Sequence, residues 1–442
     1  MTRRRTDGAG TLGRRRISRR QFLKIGGAGL AGTALLGAAG CGGGGEGGGS
    51  GDLVFAMGAD STGTIQPLID RFNEQADFRV NYREMPTDTG QFFDQLRTEF
   101  QAGGGEIDVI GGDVIWPAQF AANGWILDVS DRFPEEDRQA FLEAPVQSLI
   151  YEDAIYGVPW YTDAGMLYYR QDLLEESGIS EPPTTWAELK EMAPQVAQEN
   201  NMNNGFIFQG ANYEGGTCNG LEYIWTHGGD VLDGDQIVID SPESVAGLET
   251  ERSMVADGVA PQAVATYKET ETDPAFLGNR MVFARNWPYM YSLAGSDDYP
   301  DIKPDQIGVA ALPTGEGGPT HSALGGWNLL INAQTQKADQ AWEFVQWLSE
   351  PEQQKFRSLE GSLLPTLKSL YEDQEILDAV PVIRLGSEAL QTSKPRPVSP
   401  YYSDMSLKLA EQFNNALKGD VSPQQAVKTL QEELTNIIEQ GG

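Results

Sequence analysis

Fifteen consecutive residues, Tyr156–Arg170, carry five aromatic side chains and a single carboxylate, Asp163. The stretch reads as extended chain, and its Trp160, Tyr161 and Asp163 would make a wall for something with both apolar faces and hydroxyls. Aromatic rings cover C–H surface, and a carboxylate accepts paired O–H bonds. A second aromatic cluster, Arg285-Asn286-Trp287-Pro288-Tyr289, closes a strand-like run that starts at Arg280. Asp113 follows the apolar run 107–112, and Thr87 follows the alternating run 78–82, so both stand at carboxyl ends of expected strands. In open α/β sheets that is where ligands bind. Structural roles compete at each position. Asp113 could cap the next helix, Asp163 could be a buried acid paired with an arginine, and Trp287 and Trp327 could be core. Both tryptophans sit beside Pro or Gly at strand ends, which favours a ligand-facing place. Trp342, Phe344 and Trp347 recur at helical spacing and read as core.

The elements that must position these residues follow from periodicity. Residues 53–57 form an apolar run, 65–73 a helix-like segment, 78–82 an alternating strand, 91–101 an amphipathic helix and 107–113 a buried strand. Repeated β-α-β units predict a parallel sheet with its cleft at the strand carboxyl ends. A short helix is expected at 116–123. Another begins after Thr185, where Glu188 three residues on completes a capping box. A strand at 206–210 leads into a loop at 212–216, with helix from 221 to 226 and again from 247 to 256. Strands are expected at 307–312 and 327–331. The Gly- and Pro-rich stretch between them marks a crossover, and the rest is helical apart from a break at 394–402. A chain of 442 residues exceeds one hydrophobic core, so two α/β lobes are expected.

Charge and targeting narrow the function. Nine of the 32 basic residues and one of the 64 acidic ones fall in the first 24 positions, which leaves 23 against 63 in the remainder. So acidic a surface repels phosphate backbones, and no nucleic-acid partner is expected. Ser18-Arg19-Arg20-Gln21-Phe22-Leu23-Lys24 matches a twin-arginine export signal, and Ala38-Ala39-Gly40-Cys41 resembles a lipoprotein cleavage box, with Ala in place of the commoner Leu. The expected organisation is a signal peptide over 1–40, lipidation of Cys41 and a Gly-rich tether over 41–51. With Cys41 acylated, Cys218 has no disulfide partner and reads as a small buried hydrophobe. His227 and His321 lack ligand spacing, so neither a metal nor a cofactor is expected.

Gly157-Val158-Pro159, Tyr168-Tyr169-Arg170, Pro183–Leu189, Ala341-Trp342-Glu343-Phe344-Val345 and Pro351-Glu352-Gln353-Gln354 carry a family resemblance over Val54 to Glu439. The chain resembles the extracytoplasmic solute-binding proteins of carbohydrate ABC importers, the family of maltose-binding protein. It is similar within it to the trehalose/maltose binders through Thr87-Asp88-Thr89, Tyr161-Thr162-Asp163-Ala164-Gly165, Tyr213-Glu214-Gly215, Arg285–Tyr289, Leu324-Gly325-Gly326-Trp327, Pro395-Arg396-Pro397 and Pro400-Tyr401-Tyr402. The resemblance implies a periplasmic-binding-protein-like α/β fold. Its first lobe would be 52–162 plus 325–361 and its second 163–324 plus 362–442, with hinge crossings near Asp163, Gly325 and Gly361. It implies no enzyme activity but capture of a disaccharide, trehalose first and maltose or a sucrose-like sugar next, for delivery to ABC permease subunits by a monomeric, membrane-anchored, extracytoplasmic protein. Another oligosaccharide or a polyol is the alternative ligand, and a glycoside hydrolase the alternative class. Carried over position by position, the ligand-binding residues are Thr87, Asp113, Tyr161, Asp163, Glu214, Trp287, Tyr289, Gly326, Trp327, Arg396 and Tyr402. The loop 59–63 departs from the pattern, being shorter, with Asp60 the candidate acid in it.

Overall fold

The computed structural model describes residues 51–234 and 236–441; residues 1–50, which hold the expected export signal, Cys41 and nearly all of the tether, lie outside them. Ten strands build two sheets: β1 (Leu53–Gly58), β2 (Val80–Met85), β3 (Val109–Asp113), β4 (Val158–Ala164), β5 (Met166–Arg170), β6 (Phe206–Ile207), β7 (Phe283–Asn286), β8 (Ile307–Ala310), β9 (Leu324–Ile331) and β10 (Leu364–Pro365). The first sheet runs β10-β4-β9-β3-β1-β2 and the second β8-β5-β7-β6. β1 pairs parallel with β2 and β3, as the repeated β-α-β reading requires, whereas β9 pairs antiparallel with both β3 and β4.

Local sequence explains the elements. β1 is buried at Leu53, Phe55, Ala56 and Met57, as a central strand covered on both faces must be. The helix Thr89–Gln101 buries Phe92, Phe93, Leu96 and Phe100 on one face, and the Asp88 carboxylate caps it by accepting from the Gln91 N–H at 2.9 Å. The capping box forms as expected, with the Glu188 N–H donating to Thr185 Oγ1 at 3.2 Å and the Thr185 N–H to Glu188 Oε2 at 3.2 Å. One expected loop does not form. The helix expected from 221 begins at Glu214 and runs to Thr226, taking in the glycines expected to form a loop. Glycine disfavours helix on its own, but a Cβ on Gly220 would fall 2.3 Å from the Phe413 ring, so helix packing selects it.

That helix packs with Pro242–Ala256, Tyr402–Lys418 and Pro423–Gly441 around a separate core of Cys218, Leu221, Trp225, Leu409 and Phe413. A larger core runs continuously through both sheets, from Phe55 and Trp160 to Tyr168, Phe206 and Phe283.

The chain leaves the first sheet at Ala164 and enters the second at Met166, with Gly165 alone between. It returns between Ala310 and Leu324. The boundary expected at Gly361 falls too early, since Leu364–Pro365 still pairs with β4 in the first sheet. Where β9 meets β4, Trp327 faces Tyr161 and Asn328 faces Pro159, which leaves Trp160 as the extra residue of a bulge. Trp160 turns into the core against Phe55, with ring centroids 5.6 Å apart, while Tyr161 and Asp163 face the space between the sheets. Gly326 has φ +125°, which a side chain rarely adopts, and a Cβ there would lie 2.6 Å from the Tyr161 carbonyl oxygen.

Candidate functional site

A cavity of about 560 Å³ opens between the two sheets. From the first sheet come Met57 and Gly58 at the end of β1 with the loop 59–62, Thr87 and Asp88 beyond β2, Asp113 ending β3, Tyr161 and Asp163 on β4, and Gly325, Gly326 and Trp327 on β9. Facing them are Tyr213, Glu214 and Cys218, then Lys268, Glu269 and Asp273, then Trp287 and Tyr289 beyond β7, with Arg396 between the two groups. Ten of the eleven expected residues therefore line one cavity. Tyr402 stands behind it and donates its hydroxyl to Glu214 Oε1 at 2.6 Å.

Arg396 is buried and joins the two sides: its Nη1 donates to Glu214 Oε1 at 2.7 Å and its Nη2 to Asp113 Oδ1 at 3.0 Å. Its Nε has no hydrogen-bond partner among the described residues. Glu214 also accepts from the Ser406 hydroxyl. Burial raises Asp113 above the usual carboxylate range even with Arg396 against it. Asp113 also accepts from the Ile115 N–H at 3.2 Å, a turn contact two residues on, but it does not cap the helix Pro117–Ala122, whose N-cap residue is Trp116.

Asp163 is the least satisfied group. Its Oδ1 has no hydrogen-bond partner among the described residues, and burial pushes its carboxyl up to about 8 against the pull of Arg357. A buried acceptor without a donor is costly, so the site is poised for a donor from outside the protein.

The aromatic walls are held from behind. Trp287 Nε1 donates to Glu269 Oε1 at 3.1 Å, and Tyr213 donates to Glu269 Oε2 at 2.7 Å. Tyr289 donates to Asp273 Oδ2 at 2.8 Å; burial pushes Asp273 up to about 7 against the hydrogen bonds from Tyr289 and Asn286. Trp327 is backed by Phe92, stacked at 6.1 Å.

Several lining residues were missed in the sequence. Arg357 is buried with its guanidinium 3.8 Å from the Trp160 ring and 4.5 Å from that of Tyr161. Lys268 pairs with Asp88 at 2.5 Å, tying the helix cap beyond β2 to the segment before the helix Glu269–Leu277. Neither has a sequence signal beyond a charge on an expected helix or loop. Asp60, the candidate acid of the short loop, accepts from the Thr62 hydroxyl at 2.7 Å and the Ile65 N–H at 2.6 Å, so it caps the helix Ile65–Gln75 while lining the cavity.

Seven carboxylates and three basic side chains line the cavity, and Lys268 and Arg396 are already paired with carboxylates. An anionic ligand is therefore disfavoured electrostatically, while one offering O–H donors is favoured. Among the described residues no group of three His, Cys, Asp or Glu could hold a metal ion. Cys218 is buried, its thiol pushed up to about 12 by burial, and so is not a nucleophile. A second cavity of about 650 Å³ lies on the other side of Arg396, between Val114–Ala118, Leu142–Ser148 and Ser387–Ser399. It offers no aromatic pair and no carboxylate besides Glu143.

This fold and cleft are those of a solute receptor. The chain belongs to the bacterial extracellular solute-binding protein family, which its residues 58–355 match. A probable ABC transporter-binding protein of Deinococcus radiodurans is 33% identical over 371 residues, covering 82% of this chain and 87% of that one. A mannitol-binding protein of Pseudomonas aeruginosa is 23% identical over 378 residues, covering 79% and 84%. Among solved structures, T. maritima MalE3 with maltose bound matches with a TM-score of 0.83 at 35% identity, over 87% of this chain and 99% of that one. The family consists of binding proteins of ABC transporters, not of enzymes.

Proposed function

We propose that the chain captures a neutral disaccharide between its two lobes and delivers it to an ABC importer. The observation that carries this reading is the buried, donorless Oδ1 of Asp163 in a cavity walled by Tyr161, Trp287, Tyr289 and Trp327. A sugar supplies what such a site lacks: O–H donors for the carboxylates and C–H faces for the rings. The volume falls within the roughly 300–1,000 Å³ of small-molecule sites.

Trehalose is favoured by the motifs around Thr87, Tyr213 and Arg396, and maltose by the likeness to the maltose-bound T. maritima protein. The ligand-binding set is Thr87, Asp113, Tyr161, Asp163, Glu214, Trp287, Tyr289, Gly326, Trp327 and Arg396, with Tyr402 supporting Glu214. The chain passes between the lobes at Gly165 and again between Ala310 and Leu324, and the first lobe extends through Pro365. The protein acts as a monomer outside the cytoplasm, anchored through lipid on Cys41 after twin-arginine export.

A thermal-shift screen of trehalose, maltose, sucrose and mannitol tests the reading. A ligand at about a hundred times its Kd stabilises the fold by about 2.7 kcal/mol, a rise of several degrees in Tm. A shift with mannitol alone favours the polyol reading suggested by the Pseudomonas relative. A shift with none of them overturns the proposal. Glucose released from maltose at an enzymatic rate would establish hydrolysis instead.

A further inference from the structure

Behind Trp287 lies a buried ion pair whose two members do not themselves line the cavity. Arg285, the last-but-one residue of β7, donates from Nε to Glu222 Oε2 at 2.7 Å and from Nη2 to Glu222 Oε1 at 2.5 Å. Both side chains are 2% exposed. The Arg285 guanidinium lies 4.0 Å from the Trp287 ring centroid. With the indole N–H tied to Glu269 and one face covered by Arg285, a single ring face is left to meet a ligand.

The same pair reaches both passages between the sheets. Glu222 Oε1 accepts from the Ala323 N–H at 3.0 Å, one residue before β9 begins. At the other passage, a Cβ on Gly165 would fall 2.1 Å from Glu222 Oε1 and 2.5 Å from Arg285 Nη2. Gln209 closes the arrangement by accepting from Arg285 Nη1 at 3.3 Å while donating to the Arg285 carbonyl at 3.1 Å.

A lone buried charge is far costlier than a paired one, so neither member persists without the other. We propose that Glu222 and Arg285 are positioning residues for ligand recognition: together they set the plane of Trp287 and lock that plane to the two chain passages. The indole is then presented correctly only when the passages hold the geometry seen in this structure. This rests on the sugar-binding reading for its effect on affinity, but not for its effect on the indole.

The test has two arms. In the ligand-free protein, the emission of Trp287 is isolated as the difference between wild type and Trp287→Phe. Arg285→Lys keeps the charge beside Glu222 but loses the planar cover, so the Trp287 component shifts in wavelength and becomes more accessible to acrylamide. In the second arm, maltose and trehalose affinities by calorimetry fall about tenfold in Arg285→Lys, with Tm and circular dichroism followed in parallel. Should Arg285→Lys not fold, the double variant Glu222→Gln/Arg285→Met leaves no lone charge and is read in the same two ways. An unchanged Trp287 component in a folded variant overturns the proposal, as does wild-type sugar affinity. If wild type itself binds neither sugar, the sugar reading fails, and the emission arm alone decides whether the pair orients Trp287.

Discussion

Asp163 makes a pH prediction of definite sign. The folded protein holds its proton up to about pH 8, whereas the unfolded chain releases it near 4. The folded state therefore binds more protons across that window, and stability falls as pH rises through it. Asp273, pushed up to about 7, adds in the same sense. Asp163→Asn is neutral throughout, so its Tm declines less steeply than that of wild type between about pH 5 and 8. Equal slopes in the two proteins would mean that the carboxyl is already ionised. For recognition, Asp163→Ala and Trp287→Ala should each abolish sugar binding by calorimetry while circular dichroism stays native. Unchanged affinity in either would remove that residue from the site. Residues at strand ends were legible because the apolar runs fix where a strand stops. Lys268 and Arg357 were not, because a charged side chain on a helix or loop carries the same pattern whether it faces water or a cavity.

At the scale of elements, β9 and β4 make the site together. Their bulge sends Trp160 into the core and leaves Tyr161 and Asp163 facing the cavity. Gly326 brings the strands so close that a Cβ there would lie 2.6 Å from the Tyr161 carbonyl oxygen. Gly326→Ala combines a rarely populated backbone conformation with that close approach and is expected to cost roughly 1–3 kcal/mol. Urea unfolding measures it, and a midpoint equal to wild type would show that the strand relaxes freely. The helix Glu214–Thr226 teaches the opposite lesson. Gly215 and Gly216 made its start look like a loop, but they, like Gly220 beside Phe413, sit where a neighbour crowds the backbone. Tertiary packing outweighed propensity there.

For the whole molecule, the Asp88–Lys268 pair is a contact, besides those of Arg396, that joins the two sides of the cavity without a ligand. With side-chain exposures of 18% and 35%, it is partly screened and worth no more than about 0–1 kcal/mol. Such a bond biases an open–closed equilibrium without dominating it. Lys268→Ala without sugar should therefore show a larger radius of gyration by small-angle scattering than wild type, and sugar should return it to the wild-type closed value. Equal radii in the sugar-free proteins would show that the pair does not hold the lobes together.

The α/β class, the strand ends carrying Thr87, Asp113 and Asp163 and the aromatic cluster at Trp287 were determined by sequence alone. Hydrophobic period and turn residues act over a few positions, so they are local properties. Which groups meet across the cavity was decided only by the tertiary structure. Arg396 reaches Asp113 and Glu214 from 283 and 182 residues away. Glu222 reaches Arg285 across 63 residues and Ala323 across 101. Contacts of that span exist only once the chain has folded back on itself, because no local pattern encodes the partner of a charge.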